Sequence, residues 1–228
     1  MTVPFPPVEP PASEWELGRL RPTPDDDLVG AGADLEPGTV LAAYRSGLFP
    51  MGLGPDGGRP LGWWSPQPRG VLEPRTFRER RSLRKARARF EIRVDTAFVD
   101  VVHRCADPER EGRWITDEIV EAYAALHRLG WAHSIETWRE DRLVGGLYGI
   151  AIGGLFAGES MFHAERDASK VALAALVDLV RADGDLRRLI DVQWATEHLR
   201  GLGVAEWTRE RYLEALGTAL DAPPIRFG

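Results

Sequence analysis

The sequence predicts an α+β protein: a mixed, mainly antiparallel sheet with flanking helices, plus a small N-terminal domain. Three observations carry this. The chain has 228 residues, 43% of them apolar, enough to bury a sizeable core. From His133 to Phe162, strand-like segments are separated only by the turn pairs Glu140-Asp141 and Gly153-Gly154. A long helical pattern, a short strand and further helices follow, an α+β order.

Taken in chain order, Thr2 to Pro24 is rich in proline and acids, has little periodicity and is expected to be disordered. Pro37 suits a first helical turn and Gly47 the position just past the end, so a helix lies between them. Leu48 to Met51 reads as an apolar tip and Gly52 to Pro60 as a flexible loop. A soft boundary near Gly62 divides a small N-terminal domain (1–62) from the main domain (63–228). Gly62 to Leu72 is turn-rich and then extended. Ser82 to Arg89 is helical, Phe90 to Val94 alternates like a half-buried strand, and Thr96 to Cys105 is a short helix. Thr116 can cap a helix running to Leu129, with Asp117 and Glu118 at its positive end and Gly130 after it. His133 to Trp138, Arg142 to Ile152 and Leu155 to Phe162 are strands. Asp167 can cap a long helix whose Val171, Leu173, Ala174, Val177 and Val180 lie mainly on one side. Leu189 to Gln193 is a short strand, and helices follow around Ala195 to Arg200 and Glu210 to Leu220. The order in the second half matches the core of GNAT-type acyltransferases, which hold an activated acyl donor where two central strands part. At this level the match speaks to fold and not to activity.

Composition sets further bounds. No basic segment followed by an apolar run marks a signal peptide. The longest apolar candidate, Leu143 to Phe162, is broken by six glycines and reads as strands and turns rather than a membrane span. Cys105 is the only cysteine, so no intrachain disulfide can form, which fits a reducing cytoplasm. The formal charge of −6 argues against a general nucleic-acid binder. Yet arginines and a lysine crowd Arg75 to Arg93. That run is either a solvated helix face or a local phosphate-binding patch. Neither metal-ligand spacing nor a Gly-rich phosphate loop is present, and no metal or cofactor is expected.

Several stretches resemble the leucyl/phenylalanyl-tRNA–protein transferase family: Trp63-Trp64-Ser65-Pro66-x-Pro68-Arg69, Trp114-Ile115-Thr116, Ala132-His133-Ser134-Ile135-Glu136-x-Trp138, Gly158-Glu159-Ser160-Met161-Phe162, Ala168-Ser169-Lys170 and Ile190-Asp191-x-Gln193. They occur in the family's order and spacing and span roughly Leu28 to Leu216. The resemblance implies a small N-terminal domain, a GNAT-like C-terminal domain, and transfer of Leu or Phe, sometimes Met, from aminoacyl-tRNA to proteins beginning with Arg or Lys, marking them for N-end-rule degradation. A monomeric cytoplasmic enzyme with no membrane attachment is expected.

Asp191 and Gln193 lie two apart on a strand, so both side chains are expected on one face. The resemblance implies that this pair is catalytic, either as a relay or by orienting substrates; the orienting role is favoured because an amide is a very weak base. The plain alternative is that Asp191 caps a neighbour and Gln193 satisfies buried backbone. Glu159, with Ser160 beside it, is expected to meet a cationic amine, or is a surface carboxylate at a hairpin end. Phe156, Met161, Leu147 and Ile190 are expected to line an apolar pocket for the Leu or Phe side chain, or are ordinary core. Trp114 can stack on the terminal adenine. The family commonly has Trp where this chain has Met51, which offers apolar contact without a flat ring. Arg81, Arg84, Lys85, Arg87 and Lys170 are the candidates for tRNA phosphates.

Two rival readings remain at this point. One is an acyl-CoA-dependent N-acetyltransferase, for which Arg200-Gly201-x-Gly203-x-Ala205 resembles a pyrophosphate loop but falls after the Asp191 strand instead of before the Asp167 helix. The other is a non-catalytic adaptor for tRNA or basic N-termini. His127 and His133 are either bases or packing residues, and Cys105 reads as core.

Overall fold

The computed structural model describes residues 3–24, 26–109 and 113–227. The first sheet is small. Strands β1 (Leu28–Ala31), β2 (Phe49–Gly52) and β3 (Leu61–Trp64) pair antiparallel in the order β1-β3-β2, with Phe49 opposite Trp64 and Met51 opposite Gly62. Helix α1 (Pro37–Arg45) joins β1 to β2. It starts on Pro37 as expected, and the chain leaves it through Gly47 at φ +77°. The expected apolar tip at Leu48 to Met51 is instead largely strand, because Leu48, Phe49 and Pro50 stay buried. Gly62, the expected division, lies inside β3, and the small sheet runs on to Trp64.

The Pro-rich N-terminal stretch is also corrected; its first residue, Thr2, lies outside the described residues. It forms a strap. Val8 N–H donates to the Leu129 carbonyl at 2.8 Å, Trp131 Nε1 donates to the Val8 carbonyl at 2.8 Å, and Glu9 meets Arg45 at 2.7 Å. Leu17 is buried. A proline-rich segment has few N–H groups to satisfy, so isolated contacts can order it without periodicity.

The second sheet holds the rest of the chain. Its elements are β4 (Arg69–Leu72), α2 (Arg81–Arg87), β5 (Glu91–Val94), α3 (Phe98–Cys105), α4 (Asp117–Arg128), β6 (Ala132–Arg139), β7 (Arg142–Ile152), β8 (Leu155–His163), α5 (Ala168–Val180), β9 (Leu189–Gln193), α6 (Glu197–Arg200), β10 (Ala205–Trp207) and α7 (Arg209–Leu220). The strand order is β10-β4-β9-β8-β7-β6-β5, antiparallel except for β8 beside β9. Local chemistry explains the meander. Glu140 and Asp141 turn the chain at φ 49° and 57°, and Gly153 does so at φ 55°. Thr116 caps α4 by accepting the Ile119 N–H.

Helix α5 departs from expectation twice. Asp167 stands at its N-cap position at φ 71° but makes no side-chain cap; its carboxylate faces Arg89 at 3.0 Å and Lys170 at 3.6 Å. The helix is also buried on nearly every side, not along one stripe, because it packs on β6, β7, β8 and α2 together. That packing fixes the floor of the site. The pairing of β8 with β9 covers only Leu155–Leu189, Phe156–Ile190 and Ala157–Asp191. Past these residues the two strands part, and a cleft opens between them. No helix among the described residues is long and apolar enough to cross a membrane.

Candidate active site

The cleft has a volume of about 450 Å³. Its wall is apolar: Leu147 from β7, Met161 from β8, Leu173 and Leu176 from α5, Ile190 and Val192 from β9. Met51, Trp114 and Trp194 line it as well, and polar side chains enter from Glu159, Ser160, Gln193, Thr196 and His198. The structure therefore brings together Met51, Trp114, Leu147, Glu159, Ser160, Met161, Ile190 and Gln193, all expected from sequence. Two expected residues do not line it. Phe156 is fully buried before the strands part and packs against Phe227 at 5.9 Å. Asp191 sits behind the wall. Leu173, Leu176, Val192 and Trp194 are not among the residues expected from sequence; the i, i+3 spacing of the two leucines on a helix is a usable signal.

Asp191 is fully buried and answered on both oxygens. Oδ1 accepts from Arg69 Nε at 2.9 Å and from the Gln193 backbone N–H at 2.9 Å. Oδ2 accepts from Arg69 Nη2 at 2.6 Å and from the Tyr212 hydroxyl at 2.9 Å. Arg69 is itself fully buried; it also donates to the Gly47 carbonyl at 3.1 Å and lies over the Tyr212 ring at 4.4 Å. Burial works against its charge, but Asp191 beside it more than restores the balance, so the guanidinium holds its proton more tightly than in water. The pair is bidentate and closed to water. Arg69 belongs to a string the sequence singles out, yet its role is hidden there, because its partner lies 122 residues away.

The expectation that Asp191 and Gln193 share a face is corrected here. Gln193 has φ +57°, which takes it off the strand's alternation. Its N–H turns back onto Asp191 while its side chain enters the cleft wall, and its Nε2 is buried there without a partner.

Glu159 comes from β8 at the same cleft. The Tyr123 hydroxyl donates to its Oε2 at 2.9 Å, and the Tyr44 hydroxyl lies 2.7 Å from that of Tyr123. Oε1 is buried with no partner. Burial pushes the carboxyl up to about 8; the tyrosine hydrogen bonds and Arg69 oppose this, and the Asp191 charge adds to it. Among the described residues, the buried cleft atoms left unmatched are a donor, Gln193 Nε2, and an acceptor, Glu159 Oε1.

The basic run is less free than its sequence implies. Arg87 is engaged with Asp178 at 2.6 Å, which ties α2 to α5. Arg93 is held by Glu91 and Asp141, Arg89 by Asp167, and Lys170 by the same aspartate. Arg84 keeps a loose contact to Glu79 at 3.4 Å. Arg81 and Lys85 are exposed and have no ion pair among the described residues. His133 is a packing residue, bonded to Asp95 at 2.7 Å and stacked on Phe227. His127 stacks on Phe98, and Cys105 is buried. The Arg200 to Ala205 loop lies between α6 and β10, with Arg200 paired to Glu206 at 2.5 Å.

Comparison with known proteins gives a consistent result. A family model described as leucyl/phenylalanyl-tRNA protein transferase matches residues 71–217, and the model for the N-terminal domain of the same family matches residues 33–67. Similar proteins named leucyl/phenylalanyl-tRNA–protein transferase occur in Paraburkholderia phytofirmans (46% identical, 97% of this chain and 89% of that one). Others occur in Sulfurimonas denitrificans (46% identical, 84% and 83%) and Anaeromyxobacter dehalogenans (45% identical, 88% and 86%).

Proposed function

This chain belongs to the leucyl/phenylalanyl-tRNA–protein transferase family, and from that premise we propose that it moves Leu or Phe from aminoacyl-tRNA to the α-amine of an acceptor protein. One observation carries the reading at atomic level: an unmatched amide donor and an unmatched carboxyl acceptor face one apolar cleft. Buried polar groups are normally paired. Left open here, they suit an ester carbonyl and an attacking amine.

In the reaction the amine nitrogen bonds the ester carbonyl carbon, the bond to the tRNA ribose oxygen breaks, and the nitrogen loses a proton. The ester is already activated and the amine has a pKa near ~8, so positioning supplies much of the rate. The apolar wall takes the Leu or Phe side chain. Gln193 Nε2 donates to the carbonyl oxygen as negative charge develops on it. Glu159, at about 8, is matched to the amine and takes its proton on Oε1 while Tyr123 holds Oε2. The departing ribose oxygen takes a proton from solvent. Asp191, its oxygens already occupied, orients Gln193.

The finer reading is that the acceptor begins with Arg or Lys and that the product is marked for N-end-rule degradation; the net charge of −6 favours basic partners. The parting of parallel strands β8 and β9 supports kinship of the larger sheet with GNAT-like acyltransferases. The test is transfer of labelled Leu or Phe from charged tRNA to a peptide beginning with Arg, against a peptide beginning with Ala and an acetyl-CoA reaction. Arg-dependent transfer is expected. Acetylation alone would move the site to coenzyme A chemistry, and tRNA binding without reaction would make the chain an adaptor.

A further inference from the structure

His198 is an exposed side chain at the meeting of two hollows. It lines the cleft, and it lines a neighbouring hollow of about 490 Å³ walled by Arg78, Arg80, Asp167, Lys170 and Glu197. Among the described residues no hydrogen bond or ion pair holds its ring. Its backbone is held all the same. Thr196 caps α6 by accepting the Leu199 N–H at 3.3 Å, and the Arg200 N–H donates to the Thr196 carbonyl at 2.9 Å. Leu199 and Leu202 pack on the core beneath, and Arg200 is paired with Glu206 at 2.5 Å. A braced turn thus carries an uncommitted imidazole five residues past Gln193. Burial, with the charges of Lys170 and His163 adding to it, holds that imidazole below its ordinary 6.5, and the carboxylates of Asp167 and Glu197 share the hollow with Arg78 and Arg80. At about pH 8 the ring is therefore neutral, with one N–H to give and one lone pair to receive.

We propose that His198 is a catalytic residue that passes a solvent proton to the departing ribose oxygen. The proposal rests on the aminoacyl-tRNA reading and deepens its last step. An ester whose carbonyl oxygen reaches Gln193 Nε2 has its leaving oxygen on the same carbon. Glu159, from β8, serves the amine; the turn after β9 carries His198 into the same cleft for the leaving group. As the carbon–oxygen bond breaks, its electron pair goes to the ribose oxygen, and one ring nitrogen of His198 gives that oxygen its proton. The other ring nitrogen takes a proton from solvent, which the exposed side chain reaches, so the imidazole ends neutral in its other tautomer. Glu159 returns the amine proton to solvent, and the balance closes. Among the side chains lining the cleft, Thr196 has a hydroxyl with no such range, and Glu159 is already committed to the amine; imidazole is the group that both gives and takes a proton near neutral pH.

The test compares wild type, His198→Ala and His198→Gln in transfer from Phe-tRNA to a peptide beginning with Arg, at about pH 8. Both variants are expected to lose about 10²-fold in kcat, with Kd for Phe-tRNA held within about threefold. Glutamine keeps an N–H donor but cannot exchange tautomers, so it should be nearly as slow as alanine. Imidazole added to His198→Ala should restore part of the rate while leaving wild type unchanged, a response that a merely structural role would not give. A kcat for His198→Ala within about threefold of wild type would overturn the proposal. So would a loss that lies in Kd for the tRNA, a His198→Gln rate near that of wild type, or a loss that imidazole does not relieve. Absence of transfer by wild type would instead strike the functional reading beneath it.

Discussion

Arg69 and Asp191 form a bidentate ion pair, 2.9 and 2.6 Å, from which water is excluded on both sides. Breaking one side leaves a buried charge without a partner. Arg69→Met is expected to destabilise the protein by roughly 3–5 kcal/mol in urea unfolding. Adding Asp191→Asn should return most of that loss, since the uncompensated charge is then gone.

Gln193 is the group of this network that enters the cleft. Gln193→Ala is expected to lower kcat by about 10²-fold, the typical effect of removing one donor to a developing oxyanion. The Kd for aminoacyl-tRNA should stay within about threefold. Equal loss of binding and rate would assign Gln193 to ground-state recognition instead.

Glu159 gives two linked pH effects. Its folded carboxyl titrates at about 8, against an ordinary 4.5. The folded state therefore binds more protons than the unfolded one in that window. The stability tied to Glu159 is full below pH 4.5 and is lost as pH rises toward 8. Glu159→Gln should thus gain stability over wild type, with a difference in Tm that widens from about pH 5 to about pH 8. The acid limb of log(kcat/KM) for the peptide should become shallower as well, because only the acceptor amine then titrates. A constant Tm offset across pH would contradict the raised carboxyl.

The basic run separates into two kinds of residue. Arg81→Ala with Lys85→Ala should reduce the salt slope of tRNA binding by about 0.7–0.9 for each phosphate that these side chains neutralise. Arg87→Ala should leave the slope nearly intact and cost about 0.2–1 kcal/mol of stability, because its guanidinium is engaged with Asp178.

The meander and helix α4 are legible in the sequence because their signals are local: Thr116 before a helical stripe, Gly130 after it, and turn residues at Glu140, Asp141 and Gly153. Strand β10 is not legible, since Ala205 to Trp207 pairs through backbone and buries only Trp207. The N-terminal strap is hidden for a related reason: Val8 and Glu9 dock through single contacts that leave no period. Within the site, Glu159, Met161 and Gln193 are cleft residues in the sequence reading and in the structure alike. The role of Asp191 is only half legible, because strand geometry places it beside Gln193, whereas the positive φ of Gln193 and the distant Arg69 place it behind the wall.

The most direct test is transfer of labelled Phe from charged tRNA to a peptide beginning with Arg, followed from about pH 6 to about pH 9 for wild type and Asp191→Asn, a window that brackets the amine. With Asp191 as a positioning residue, wild type transfers, and the variant is slower but keeps the same steepness of its acid limb, displaced to lower pH because the Asp191 charge no longer helps hold the Glu159 carboxyl up. If Asp191 took the proton itself, the acid limb would become shallower in the variant, with only the amine titrating; that result, or no transfer by wild type, would contradict the account.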